Sequence, residues 1–118
     1  MILLGMNKKC SFMYDDFSDR LMISCKKDSD VIVGSIRVLN LNIDFTSNNK
    51  IANVELRKAS DYIESLGLNS KILNNLTNAQ LMFKQCRDGY VIYFILQGMN
   101  KTERIPYNIQ STKIPVLN

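Results

Sequence analysis

The chain has 118 residues, a formal net charge of +4, 46% hydrophobic and 22% charged residues. A chain of this length folds as one domain and buries roughly 65% of its unfolded surface, and its ordinary globular usage excludes wholesale disorder. It contains no His and no Trp, which removes the commonest general base and the mixed Cys/His zinc sites.

The opening MILLGM is too short for a signal-peptide core, with no basic residue before it and no small-residue cleavage site in reach. Nothing elsewhere approaches the roughly 18 apolar residues of a membrane span. The expectation is a soluble cytoplasmic protein whose residues 1–8 and 111–118 are loosely held termini. The basic residues fall in scattered pairs such as Lys8-Lys9, Lys26-Lys27 and Arg57-Lys58, which suits a solvated surface and permits weak attraction to nucleic acid.

Ser11 to Tyr14 is an apolar-rich run followed by the polar turn Asp15-Asp16-Phe17-Ser18-Asp19. Leu21, Ile23 and Cys25 then alternate with Met22, Ser24 and Lys26, so an N-terminal hairpin is predicted. Cysteines stand at positions 10, 25 and 86. Their odd number, wide spacing and lack of a C-x-x-C pair argue against a disulfide framework or zinc knuckle. Free thiols are expected, with Cys25 a small core residue beside Leu21 and Ile23.

Lys27-Asp28-Ser29-Asp30 is a turn, and Val31–Val33 leads through Gly34 into Ser35–Ser60, which reads as two strands. Leu39, Leu41, Ile43 and Phe45 alternate with Asn40, Asn42, Asp44 and Thr46. Ala52, Val54 and Leu56 alternate with Asn53, Glu55 and Arg57. Ile36 and Val38 are apolar on the opposite phase. This shift implies a bulge or break near Val38-Leu39, and a bulge is expected; a stretch buried on both faces is the alternative.

Helical spacing follows, with Ala59, Tyr62, Ile63 and Leu66 on one side, Ser60 as N-cap and Gly67 at the C-terminal cap. Leu68, Ile72, Leu73 and Leu76 continue as a second short helical turn. One amphipathic helix, or two broken at Gly67, should lie on an apolar sheet face.

Asp88-Gly89 marks a tight turn between Ala79–Cys86 and Tyr90–Gln97. The second of these strands is apolar on both faces, Tyr90, Ile92, Phe94 and Leu96 on one and Val91, Tyr93 and Ile95 on the other. Such a strand needs cover on both sides. The helix supplies one cover; a second subunit supplies the other more readily than a further layer, because so short a chain has little left to form one. A homodimer with Val91, Tyr93 and Ile95 at its interface is therefore expected. Glu103–Ile109 is a last strand, confined by Pro106 to an edge.

Asp15, Asp16 and Asp19, with Asp28 and Asp30, lack the ligand spacing of a calcium loop and fit turn chemistry instead. Asp44 and Glu55 share the polar face of the central hairpin. They would make an acid/base pair only if their environments separated their pKa values, and exposed strand carboxylates beside Lys or Arg are far commoner. No Gly-rich phosphate loop, nucleophile elbow or Ser-Lys motif is present, so no catalytic, metal or cofactor site is expected. Tyr62, Tyr90, Tyr93 and Tyr107 would offer stacking surfaces to nucleic acid only as an exposed cluster, and most fall at core spacing.

Tyr14-Asp15-x-x-x-Asp19-x-Leu21-x-Ile23 resembles the Y-D-x-x-x-D-x-L-Y-I signature of a small domain family of unknown function. Asp44, followed by Ile51-x-x-Val54-Glu55-Leu56-x-x-Ala59-Ser60, is similar to the second half of that signature, D-x-x-G-x-I-V-G-I-E-I-L-x-A-S. Asn49 replaces the turn Gly, Asn53 the Gly before Ile-Glu, and Met22 the aromatic residue. The resemblance implies a compact antiparallel meander followed by a helix. Some members are encoded beside toxin-like proteins, which implies an antitoxin-like role; no catalytic residues are established for the family.

The resulting expectation is a single α+β domain, a mostly antiparallel meander of about six or seven strands with a helix on one face. Residues 10–76 form the family-like unit and 77–110 the added strands. The expected function is a non-enzymatic protein-interaction module, antitoxin-like and homodimeric. Weak nucleic-acid binding is the alternative. A small enzyme using Asp15, Asp19, Asp44 or Glu55 is a third reading, and it requires at least two of them to converge in a pocket.

Overall fold

A computed structural model describes residues 10–47 and 50–110. The termini and Asn49, which replaces the signature Gly, lie outside the described residues. Among the described residues the fold is α+β with antiparallel strand pairing, and it comprises eight strands in two sheets, one α-helix and one short 3₁₀ helix.

The first sheet contains β1 (Ser11–Asp15), β2 (Arg20–Ser24), β3 (Ile32–Val38), β4 (Leu41–Thr46) and β5 (Ile51–Arg57), in the order β1-β2-β5-β4-β3. The period-two pattern sets its register. Leu21 faces Leu56 and Ile23 faces Val54 across β2 and β5, while Leu41 and Ile43 face the same two residues from β4. One face is therefore a continuous apolar surface, and the polar residues between stand on the other.

The phase shift at Val38-Leu39 is a chain reversal, which corrects the expected bulge. Val38 pairs with Leu41 across the two-residue turn Leu39-Asn40, and Leu39 takes φ 52. The stretch read as one strand is therefore β3 and β4. Leu39-Asn40 carries no Gly, and Leu at positive φ is costly, so local preference does not mark this turn. Bulges do occur, between Ile32 and Gly34 and between Asp44 and Phe45.

The α-helix α1 spans Ala59–Ser65 and buries Ala59 and Ile63. Lys58, at φ 53, is its N-cap and supplies no side-chain cap, correcting the assignment to Ser60. The helix stops at Gly67, φ 79, where Gly67 N–H donates to the Glu64 carbonyl and Leu68 N–H to that of Ile63. This paired pattern is the Schellman closure, and it needs the left-handed conformation Gly adopts freely. The 3₁₀ helix Ser70–Asn75 follows, its first turn held by Asn69 accepting from Lys71 N–H at 2.9 Å.

The second sheet is the meander β6 (Asn78–Cys86), β7 (Gly89–Gln97) and β8 (Thr102–Gln110). Cys86 and Gly89 flank the turn Arg87-Asp88, and β8 with Pro106 is an edge strand. Ile92, Phe94 and Leu96 of β7 are buried with Ala79 and Leu81 of β6 and Ile105, Tyr107 and Ile109 of β8. These residues join Leu21, Ile23, Leu41, Val54 and Leu56 of the first sheet and Ala59 and Ile63 of α1 in one core cluster.

Cys10 and Cys25 form a disulfide, their Cα atoms 4.4 Å apart, and only Cys86 is a free, exposed thiol among the described residues. This corrects the expectation of free thiols. Ser11 pairs with Ser24, so Cys10 and Cys25 are the next cross-strand pair of the β1–β2 hairpin. Chain separation alone could not reveal that proximity, because pairing of the hairpin creates it. Cys25 is half-buried at the core's margin.

Candidate functional site

Three surfaces carry the residues singled out by sequence. The first is the β1–β2 turn. Asp15 accepts from Phe17 N–H at 3.0 Å and from Ser18 Oγ at 2.8 Å, closing the turn on itself. The Ser18 hydroxyl holds its carboxyl below the ordinary value, with the Phe17 N–H adding to the effect. Asp19, at φ 55, turns its carboxylate inward. Oδ1 accepts from Tyr14 Oη at 2.6 Å and Ser60 N–H at 2.9 Å, and Oδ2 from Ser60 Oγ at 2.7 Å.

This network ties the hairpin to the first turn of α1 and supplies the cap that Lys58 does not. Burial pushes the Asp19 carboxyl up, but the hydroxyls of Tyr14 and Ser60 and the helix N–H groups outweigh it and leave the carboxyl low. Burial, aided by Asp19, pushes the Tyr14 phenol up to about 12. Tyr14, Asp19 and Ser60 thus converge, and the three hydrogen bonds among them join the hairpin to the helix.

The second surface is the polar face of the first sheet. Ser35, Asp44, Asn53 and Ser24 form a row across it. Ser35 Oγ donates to Asp44 Oδ1 at 2.6 Å, Asn53 Nδ2 to Asp44 Oδ2 at 3.0 Å, and Ser24 Oγ to Asn53 Oδ1 at 2.5 Å. In the neighbouring row Glu55 accepts from Asn42 Nδ2 at 2.9 Å and lies 3.7 Å from Arg20. Asp44 pairs with Asn53 and Glu55 with Asn42, so the two carboxylates are diagonal neighbours with separate partners. Both line one shallow depression with Ser11, Met22 and Ser24; Asp15 and Asp19 do not. The face presents carboxylate and amide groups in hydrogen-bonded rows, and among the described residues no cluster of His, Cys, Asp and Glu suits a metal ion.

The third surface is the outer face of the second sheet. Val91, Tyr93 and Ile95 are half-buried there, opposite Lys84, Met82 and Gln80 on β6 and Asn108, Pro106 and Arg104 on β8. The Arg104 guanidinium stacks over the Tyr93 ring at 4.1 Å, and Met82 is only 3% exposed. No Asp or Glu stands on this face of the three strands. Alternation identified Val91, Tyr93 and Ile95; their cross-strand partners Met82 and Arg104 depended on register.

The tyrosines do not form one exposed stacking cluster. Tyr62 and Tyr107 pack at 4.8 Å in the interior, Tyr90 stacks on Phe83 at 5.1 Å, and Tyr93 lies under Arg104. Tyr62 donates to the Pro106 carbonyl, and Tyr107 accepts from Asn40 N–H at 3.2 Å, which anchors α1 and the β3–β4 turn to β8. No described helix is long and apolar enough to cross a membrane. No family model, curated protein or solved structure matches this chain.

Proposed function

We propose that the chain is a non-enzymatic protein-interaction module that works as a homo-oligomer, antitoxin-like in the sense implied by the Tyr14–Ser60 signature. The observation that carries this reading is the outer face of β7. Its core face is filled by Ile92, Phe94 and Leu96, yet the opposite face repeats the apolar row as Val91, Tyr93 and Ile95. An apolar row on the side away from the core, free of carboxylates and rimmed by Lys84, Arg104 and amide side chains, has the composition of a recognition patch. The polar face of the first sheet shows no comparable apolar row, and its carboxylates are held by neighbouring side chains.

The test is affinity capture from the native host with wild-type chain and the Ile95→Lys variant. A defined protein retained by wild type and lost by Ile95→Lys supports the reading; identical retention by both removes it.

Weak nucleic-acid binding is the second reading, favoured by the same face having two cations, one of them stacked on Tyr93, and no carboxylate. It requires binding to mixed single-stranded DNA or RNA that weakens steeply with salt and with Arg104→Ala. A flat salt response at low ionic strength eliminates it.

A further inference from the structure

We propose that the open edge of β3 pairs antiparallel with the same edge of a second copy, joining two five-stranded sheets across a two-fold axis at Ile36. The proposal rests on the oligomeric half of the reading above, and it places self-association away from the outer face of β7.

Among the described residues, β3 has one sheet neighbour, β4. The other edges are compromised as pairing sites. β1 and β6 approach each other, and β8 carries Pro106, whose carbonyl is already taken by Tyr62. In β3 the turn Leu39-Asn40 makes Val38–Leu41 a hydrogen-bonded pair, and Ile36–Ile43 repeats it two residues on. The backbone groups of Ser35 and Arg37 therefore face away from β4. The bulge between Ile32 and Gly34 interrupts this regularity at Val33, which leaves Gly34–Val38 as the regular open stretch with Ile36 at its centre.

A two-fold axis at Ile36 makes that stretch self-complementary. Ser35 exchanges backbone hydrogen bonds with the partner subunit's Arg37, and Arg37 with the partner subunit's Ser35. Val33, 62% exposed, stands opposite the partner subunit's Leu39, 57% exposed in the free chain. These two residues and Val31, also 62% exposed, bring three of the exposed large hydrophobic side chains to one strand and its ends. Gly34, which has open space where a side chain would stand, receives the partner subunit's Val38 opposite it. The half-buried Ile36 meets its own copy and continues the apolar face from one sheet to the next.

Charge complementarity points the same way. Arg37 makes no ion pair among the described residues, and Asp44 is bonded only by the neutral groups of Ser35 and Asn53. Across the junction the partner subunit's Arg37, Ser35 and Asp44 occupy consecutive positions of one polar row. Strand spacing puts the two charged residues roughly 10 Å apart at their Cα atoms, within the combined reach of an arginine and an aspartate.

The experiment is sedimentation velocity on the full chain at about 1 to 100 µM, with urea midpoints confirming that each variant is folded. Wild type is expected to shift from monomer to dimer over that range. Arg37→Glu and Val33→Lys each weaken dimerisation at least about tenfold, Arg37→Glu combined with Asp44→Lys recovers most of the loss, and Ile95→Lys changes nothing. On the wild-type chain, amide exchange at Ser35 and Arg37 slows as concentration rises. A chain that stays monomeric to 100 µM overturns the proposal, and so does a dimer indifferent to both β3 substitutions. A dimer lost only with Ile95→Lys transfers the interface to β7. Partner capture is read separately, so its failure beside an intact β3 dimer removes the recognition role and leaves this interface standing.

Discussion

Asp19 and Ser60 are 41 residues apart and joined twice, Ser60 N–H to Asp19 Oδ1 at 2.9 Å and Ser60 Oγ to Oδ2 at 2.7 Å. Through them the β1–β2 turn caps α1. Asp19→Asn keeps a residue that tolerates positive φ but loses the charge and one acceptor, so it is expected to cost about 1–2 kcal/mol in urea unfolding. Asp19→Ala should cost more, because Ala also pays the left-handed backbone strain.

The same network predicts a pH profile. The folded Asp19 carboxyl is lowered, so its contribution is present above the unfolded value near 4 and is lost as pH falls through the folded one. The Tyr14 phenol is raised to about 12, so its contribution is full below the unfolded value near 10 and fades as pH climbs towards 12. Urea midpoints should be flat between about pH 5 and pH 9 as far as these two groups are concerned. Tyr14→Phe should flatten the alkaline arm and Asp19→Asn the acid arm.

The Cys10–Cys25 bridge closes a loop with a sequence separation of 15. Replacing both cysteines by serine is expected to lower stability by about 3 kcal/mol, as is reduction, measured as the difference in urea unfolding with and without reductant. Alkylation and mass measurement on protein taken from its host decide the compartment. A closed bridge places the chain in an oxidising environment and overturns the cytoplasmic expectation, whereas two alkylated thiols uphold it.

The two faces of β7 should respond differently to truncation. Phe94, 1% exposed between the sheets, should cost about 3–5 kcal/mol when replaced by Ala. Ile95→Ala, on the outer face, should cost under about 1 kcal/mol. Equal losses in thermal or urea unfolding would show that the outer row is part of the monomer's core, leaving no patch to offer a partner.

Lys58, exposed and at φ 53, holds a conformation that costs a non-glycine residue. Lys58→Gly should raise stability by roughly 0.5–1 kcal/mol, read as a higher urea midpoint, because strain relief exceeds the added chain entropy of Gly.

Local pattern was sufficient for the antiparallel α+β class, the helix ending at Gly67, the β6–β7 hairpin and the edge position of the Pro106 strand, although the hairpin turn is Arg87-Asp88, one residue before the expected Asp88-Gly89. Each depends on a residue whose preference acts within a few positions. It was also sufficient to put Asp44 and Glu55 on one polar face and Val91, Tyr93 and Ile95 on another, because alternation alone assigns faces. Tertiary structure decided what proximity across the chain decides. The Cys10–Cys25 bridge exists because hairpin pairing brings its ends together, and Asp19 became a cap for α1 because β2 lies beside β5. Leu39 turns the chain in a conformation its own preference opposes, since the pairing of β3 with β4 and the anchoring of Asn40 by Tyr107 outweigh that local cost. The open edge of β3 has the same origin: alternation shows which residues share a face, but only the assembled sheet shows which strand is left without a neighbour.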